Sequence, residues 1–189
     1  MDAILRDSGI QNANIFISKK ITLPGYFRPS KDWDLIVKVG DNLIAVIEVK
    51  SHVGSFGNNF NNRVEEALGS ATDFWSAYKE ATFKPSSRPW LGYLIMLEDH
   101  PKSQAEGRPK KLQHYDVRPE FQSVSYAKRY EIFCERLVRE RLYDAACFIM
   151  SSAEGGLRGE YSEPNKELCF SNFAAALGAR ASTFSKIQE

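Results

Sequence analysis

The chain has 189 residues, of which 43% are hydrophobic and 12% aromatic, so it can form the core of one globular domain and is not expected to be disordered. Its 25 basic and 24 acidic side chains give a net charge of +1, which excludes a general basic coat. Any affinity for nucleic acid must therefore come from local clusters of charge.

The three cysteines lie far apart without a CxxC motif, which argues against a zinc site or a disulfide framework. No apolar run approaches the length that spans a bilayer, and the N-terminus lacks the basic and apolar stretches of a secretory signal. We therefore expect a cytoplasmic protein with reduced cysteines.

The first elements predicted along the chain are a short helix and a hairpin. The helix covers 1–9 and closes near a glycine. Two segments rich in β-branched residues, 32–39 and 43–50, are predicted to be strands. The Gly-Asp-Asn segment at 40–42 is typical of a hairpin loop that joins them.

A loop and a long helix are predicted next. Two glycines and several asparagines indicate a loop over 51–61. Apolar residues then recur at helical spacing over 63–79. We expect Asn62 to cap this helix, with Glu65 placed to close a capping box.

The second half of the chain completes an α/β pattern. Because the helix at 63–79 is a crossover long enough to make strands 43–50 and 90–98 parallel, we expect a mixed β-sheet flanked by helices. The remaining predicted elements are a buried strand over 90–98, a surface loop over 99–120, a helix over 125–141, a strand over 144–150, a loop over 151–166 and a helix over 172–186.

Three side chains at the end of the hairpin have the chemistry of a phosphodiesterase site. Glu48 and Lys50 are two residues apart on a strand, so both point to the same face. Carboxylates can hold Mg²⁺ ions that activate water and offset the charge of a scissile phosphate, and a lysine beside them can position that water. Asp34, Glu48 and Lys50 are therefore the candidate catalytic residues.

The hairpin register decides whether Asp34 joins the other two. A two-residue loop pairs Val39 with Asn42 and turns Asp34 to the wrong face. A three-residue loop pairs Val39 with Leu43 and places Asp34 opposite Glu48, with their Cβ atoms roughly 5 Å apart. We expect the three-residue loop, because it also groups the apolar residues on one face. Those residues are Leu35, Val37, Val39, Leu43, Ala45 and Ile47.

The alternative is a solvated hairpin with ordinary surface charges. An Asp followed by a Glu-x-Lys triplet arises by chance about once in a chain of this size. However, the strand at 43–50 becomes charged only at its end, and two facing carboxylates repel each other unless a cation compensates them. Both features favour a functional site.

The arrangement of Asp34 and Glu48-Val49-Lys50 after two hydrophobic strands resembles the PD-(D/E)xK nuclease superfamily, with Trp33 where the superfamily name has proline. The longer runs LPGYFRPSKDWDLIV, IEVKS and GSFGNNFNNRVEEALGSATDFWSAYKE are similar to the XhoI family of type II restriction endonucleases. A weaker likeness extends through YDAACFIMSS, LRGEYSEP and the last helix, so the resemblance covers most of the chain.

The resemblance implies a homodimer that cuts both strands of duplex DNA at the palindrome CTCGAG with Mg²⁺, leaving 5′ extensions. A DNA methyltransferase would act on the same site without being a subunit. By position, Asp34, Glu48 and the backbone carbonyl of Val49 become the metal ligands, and Lys50 becomes the base that orients the water. Family members have a fuller first helix than 1–9 supplies, so the single nuclease domain expected over 1–189 is a candidate for N-terminal truncation.

The segment after the catalytic strand carries residue types that can read DNA. The side chains of Asn58, Asn59 and Asn62 can hydrogen-bond adenine, and Arg63 can hydrogen-bond guanine. His52 is also placed to contact DNA. The alternative is a turn-forming loop in which Asn62 is only a helix cap.

Other charged residues have both a functional and a structural interpretation. The functional interpretation of Glu65 is a third metal ligand, and the structural one is a member of the capping box. For Glu66 the functional interpretation is support of the metal ligands, and the structural one is a place on the polar face of the helix. Asp32 pairs with Lys50 or is a plain surface charge. Arg108, Lys110 and Lys111 form a small basic cluster. Its functional interpretation is that it binds a DNA phosphate, and its structural interpretation is a solvated loop.

Two rival functions remain open. One is a repair or recombination nuclease of the same superfamily, which would cut by DNA structure and not by sequence. The other is a DNA-binding module without catalysis, which would bind duplex DNA and leave it intact.

Overall fold

A five-stranded mixed sheet forms the centre of the computed structural model, which describes residues 2–10, 14–17, 22–109 and 111–188. The first three strands in the spatial order are antiparallel to their neighbours, and the last three run parallel. The predicted parallel pairing of 43–50 with 90–98 is confirmed. The spatial order is β1 (Asn14–Ile17), β4 (Leu35–Val39), β5 (Asn42–His52), β6 (Trp90–Glu98) and β7 (Ala145–Ser151). Strand β1 was not predicted, nor was a separate antiparallel pair formed by β2 (Thr22–Pro24) and β3 (Ser30–Asp32).

Helices cover both faces of the central sheet, so the sheet is buried between two helical layers. Two long helices pack on one face and the first and last helices pack on the other. The helices are α1 (Asp2–Asp7), α2 (Phe56–Lys79), α3 (Pro101–Gln104), α4 (Tyr126–Arg139), α5 (Ala153–Leu157) and α6 (Phe170–Gln188). No helix in the described part of the chain combines the length and apolarity that crossing a bilayer requires.

The apolar spacing of each long helix explains which face it buries. In α2, the buried residues Ala67, Ala71 and Phe74 recur at intervals of three and four, and they pack against the sheet. In α6, Phe173 and Leu177 are buried in the same way on the opposite face. The resulting three-layer α/β arrangement confirms the predicted fold class.

The β4–β5 hairpin corrects the predicted loop and keeps the predicted register at the site. Val39 pairs with Asn42, so the loop has two residues, Gly40 and Asp41, and the expected three-residue loop is wrong. A β-bulge then leaves Ile44 without a partner, and the pairing beyond it is Leu35 with Ile47. The extra residue turns Asp34 back to the face of Glu48.

Burial on both faces explains why the sequence pattern missed the bulge. Leu43 and Ile44 are both buried, but Leu43 joins the cluster under α2 and Ile44 the cluster under α6. The sequence had predicted that Leu43 shares a face with Ala45 and Ile47. In the structure it lies on the opposite face of the sheet. Where both faces of a strand are apolar, an inserted residue does not disturb the hydrophobic pattern.

The start of α2 also differs from the prediction. Strand β5 continues to His52 and α2 begins at Phe56, so the loop predicted over 51–61 is confined to 53–55. The capping box at Asn62 and Glu65 is wrong, because both residues lie inside the helix, whose N-cap is Ser55 without a side-chain cap. The helix begins early because Phe56 and Phe60 continue its apolar stripe against the rings of α4.

Two predicted loops contain short helices. The segment 99–120 includes α3, which is capped by His100, and a 3₁₀ turn at Pro119–Phe121. The segment 151–166 includes α5, which is capped by Ser152. Lys110 lies outside the described residues.

Candidate active site

Asp34, Glu48 and Lys50 meet at the end of the β4–β5 hairpin. The Nζ of Lys50 lies 2.5 Å from Oε1 of Glu48 and 3.6 Å from Oδ2 of Asp34. The two carboxylates are therefore no more than about 6 Å apart, on the same face of the hairpin. The expected grouping of these three side chains is present in the structure.

Asp34 is held in place by the backbone of the strand opposite it. Its Oδ2 accepts a hydrogen bond from the N–H of Val49 at 2.7 Å. The N–H and C=O of a strand residue point toward the same side, so the Val49 carbonyl faces the edge on which Asp34 lies. This edge brings together two carboxylates and one backbone carbonyl oxygen.

Glu48 is buried, with only 3% of its surface exposed, and a buried carboxylate must be compensated. Lys50 supplies one positive charge, and Lys31 from β3 supplies another, with its Nζ 3.1 Å from both Glu48 oxygens. The Lys31 ammonium also lies 4.4 Å from the centre of the Trp33 ring. Lys31 was missed in the sequence, since no local pattern predicted that β3 would fold over the site.

An open cleft of about 330 Å³ leads to these groups between β3, β5 and α2. Its charged lining comes from both strands and from the side of α2, and the net charge of that lining is positive. The charged residues are Arg28, Lys31, Lys50 and Arg63, with Glu48, Glu65 and Glu66. A surface of this kind can receive a phosphodiester close to the two carboxylates.

The residues predicted to contact DNA lie along the first turns of α2, not on a loop. Arg63 lines the cleft and donates hydrogen bonds to Oε2 of Glu66 at 2.6 Å and to the carbonyl of Ser51 at 3.3 Å. Asn62 is exposed and Asn59 is half-buried. Asn58 belongs to the helix, but its side chain lies outside the described part of the chain.

His52 is the exception among the predicted DNA contacts. Its side chain is buried beneath the surface, and its Nδ1 shares a hydrogen bond of 2.7 Å with the hydroxyl of Tyr130. Burial lowers the pKa of this imidazole, so the neutral form is favoured. A buried ring cannot reach a DNA strand in this conformation, which corrects the sequence interpretation.

The other weighed residues divide between the cleft and ordinary structure. Glu65 and Glu66 both line the cleft. Asp32 does not pair with Lys50, since its Oδ1 accepts a hydrogen bond from Thr22 across the β2–β3 pair. Of the basic cluster, Arg108 and Lys111 are exposed.

The donors at the site suit a hard cation. Within the described residues, no group of three or more His, Cys, Asp and Glu side chains could hold a metal ion. The oxygens of Asp34, Glu48 and the Val49 carbonyl are nevertheless the ligand types that Mg²⁺ prefers, with water completing its coordination. The carboxylates are compensated here by the two lysine ammonium groups, which lie where a cation is favoured.

Comparison with known proteins agrees with this chemistry. The family model described as restriction endonuclease XhoI matches residues 1–163. The chain is 51% identical over 188 residues to the type II restriction enzyme BstVI of Geobacillus stearothermophilus, and the match covers 95% of this chain and 83% of the relative. No solved structure matches the chain.

Two further relatives carry the same kind of name. The type II restriction enzyme XhoI of Xanthomonas vasicola is 44% identical over 141 residues, covering 73% of this chain and 56% of the relative. The type II restriction enzyme AbrI of Azospirillum brasilense is 53% identical over 102 residues, covering 53% of this chain and 46% of the relative. The chain thus spans about half the length of these two relatives.

Proposed function

Because the chain belongs to the XhoI restriction endonuclease family, we propose that it is a type II endonuclease that hydrolyses both strands of duplex DNA at Asp34, Glu48 and Lys50. The observation that carries this proposal is the convergence of both carboxylates on the Lys50 ammonium, within 3.6 Å. Two acidic groups and a lysine beside a cleft that carries basic side chains are the groups that phosphodiester hydrolysis requires.

Asp34, Glu48 and the Val49 carbonyl would hold Mg²⁺. When bound, this ion supplies a water of lowered pKa and neutralises charge on the phosphate. The hydrogen bond from Val49 to Asp34 orients that carboxylate before any ligand arrives. A preoriented carboxylate needs less reorganisation when it becomes a ligand.

Lys50 orients the attacking water by donating a hydrogen bond from its ammonium group to the water oxygen. Lys31 also offsets the charge of Glu48, and Arg28 and Arg63 at the cleft wall bind the phosphate backbone. Asn59, Asn62 and Arg63 on the first turns of α2 contact the bases or their phosphates.

We further propose CTCGAG as the recognition sequence and a homodimer as the active form, on the strength of the family. A two-fold dimer matches a palindromic site, because each protomer then meets the same half-site and cuts one strand. The enzyme would act in the cytoplasm beside a methyltransferase that modifies the same sequence.

The test is digestion of a plasmid that contains a single CTCGAG, with Mg²⁺ or with EDTA. We expect one linear product with Mg²⁺, none with EDTA, and losses of at least about a hundredfold in rate for Glu48→Ala and Lys50→Ala. Matched controls are Glu80→Ala and Lys79→Ala, which remove exposed charges at the far end of α2 and should cut at the parent rate.

Three outcomes would contradict the proposal. Intact plasmid that is nevertheless bound would indicate a DNA-binding module. A smear or structure-dependent cuts would indicate a repair nuclease. Equal cutting by the parent and both site variants would mean that the site lies elsewhere.

A further inference from the structure

The turn between β2 and β3 exposes two aromatic rings beside the cleft. We call residues 25–29 (Gly-Tyr-Phe-Arg-Pro) the aromatic turn. Tyr26 is 53% exposed and Phe27 is 70% exposed, and their rings pack edge to face with centroids 4.8 Å apart. Two adjacent exposed aromatic rings form an apolar patch of the kind that marks an interaction surface.

The aromatic turn is fixed to the body of the protein by one buried carboxylate. Asp73 of α2 accepts hydrogen bonds from the backbone N–H groups of Tyr26 and Phe27, at 2.9 and 2.7 Å, and from Nε of Arg28 at 2.9 Å. A Cβ at Gly25 would lie 2.7 Å from the Asp73 carboxylate, so only glycine allows this close approach. The backbone that carries the exposed rings is therefore held in a defined position.

The aromatic turn adjoins the site through its own chain. Arg28 within the turn lines the cleft, and Lys31, which follows it on β3, contacts both oxygens of Glu48. Because Tyr26 and Phe27 directly precede Arg28 in the chain, a DNA strand with its scissile phosphate at Glu48 and a neighbouring phosphate at Arg28 would come near the two rings. The positive groups around it would hold the backbone of that strand.

We propose that the aromatic turn is a DNA-binding element, in which Tyr26 and Phe27 pack against bases next to the cut while Arg28 binds a phosphate. This inference rests on the proposed function and identifies contacts for the same site. Aromatic rings can pack on the faces of any bases, and an apolar side chain can also wedge between base pairs of a duplex. The element would therefore contribute affinity and position without reading the sequence.

The test measures binding of the full chain to a short duplex with one CTCGAG, by fluorescence anisotropy, with Ca²⁺ in place of Mg²⁺. The double variant Tyr26→Ala/Phe27→Ala should bind at least about tenfold more weakly, and Tyr26→Phe should bind as the parent does. The matched control is Tyr161→Ala, which removes an equally exposed ring (54%) on a segment that contributes no residue to the cleft lining, whereas the aromatic turn contributes Arg28. A melting curve for each variant shows whether it is folded.

Salt dependence separates the two kinds of contact. The logarithm of affinity falls linearly with the logarithm of salt concentration, by about 0.9 for each phosphate neutralised. The double variant should keep the parent slope, because aromatic packing releases no counterions. Arg28→Gln should instead reduce the slope by about one phosphate contact.

The proposal fails if the folded double variant binds within twofold of the parent, or if its loss matches that of Tyr161→Ala. It also fails if sedimentation without DNA shows that the parent is a dimer and the double variant a monomer, since the rings would then belong to an interface between two copies. A parent that cuts while the double variant binds normally overturns only this inference. A parent that binds through the rings but never cuts overturns only the proposed catalysis, and one that does not bind duplex DNA overturns both.

Discussion

Replacing Lys31 with methionine would remove one of the two ammonium groups that compensate the buried carboxylate of Glu48. Methionine is an uncharged side chain of similar length, and its end can still lie over the Trp33 ring where the ammonium was, so the change is mainly one of charge. At 3.1 Å and an effective dielectric constant of about 20, the gross attraction of such a pair is about 5 kcal/mol. Isolating a buried charge completely costs about 3–5 kcal/mol.

The net cost should be smaller than either figure, because Glu48 keeps the Lys50 ammonium at 2.5 Å and Lys31 regains hydration when the chain unfolds. We therefore expect Lys31→Met to lower the free energy of unfolding by about 2 kcal/mol. With a urea m-value of about 2 kcal/mol/M, this loss lowers the unfolding midpoint by about 1 M. Cutting should also slow, since Glu48 is then held by one partner only.

The assay is urea unfolding at pH 7, followed by circular dichroism. The matched control is Lys38→Met on β4, which removes a lysine outside the cleft and should change stability by less than about 0.5 kcal/mol. If Lys31→Met unfolds at the midpoint of Lys38→Met, the two ammonium groups are not both needed to compensate Glu48. An increase in stability would show that burying the pair costs more than it returns.

Three further predictions concern other parts of the molecule. Asp73→Ala leaves three donors of the aromatic turn without their acceptor and should lower the free energy of unfolding by about 2–3 kcal/mol, which urea unfolding measures. Limited digestion should also cut faster at residues 25–29, and unchanged digestion would contradict the anchoring role. Because burial lowers the pKa of His52 below 6.5, the unfolded chain binds more protons than the folded one, so stability should fall as the pH is lowered from 7 to 5. His52→Gln should flatten that part of the pH profile, and an unchanged profile would refute the assignment. Gly92→Ala would place a Cβ against the Trp90 ring, closer than van der Waals contact, and should destabilise the fold by about 1–3 kcal/mol. Thermal unfolding would detect this loss, and a neutral result would mean that the ring moves aside freely.

The periodicity of the sequence was enough to predict the layers of the fold. Strand β6 and the bulk of helices α2, α4 and α6 lie where apolar spacing predicted them, because each element buries a face whose period is a local property of the chain. The shared face of Glu48 and Lys50 follows from the same rule, since side chains two apart on a strand point the same way.

The meeting of Asp34 with Glu48 was predicted for a partly wrong reason. The loop has two residues, and the bulge at Ile44 restores the pairing that a three-residue loop would have given. The sheet is covered on both sides, so Leu43 and Ile44 are both buried and the alternation of apolar residues could not locate the bulge. The chemistry of facing carboxylates was the more reliable guide to the register.

The sequence by itself determined four strands of the central sheet, the crossover helix between β5 and β6, and the residue types of the candidate site. Only the tertiary structure decided which distant groups surround that site: Lys31 on Glu48, Asp73 on the aromatic turn, and His52 beneath the surface. These contacts join segments 17 to 78 residues apart, and no local period encodes them. They are set by how the β2–β3 pair and helices α2 and α4 pack against the central sheet, and packing is a property of the whole chain.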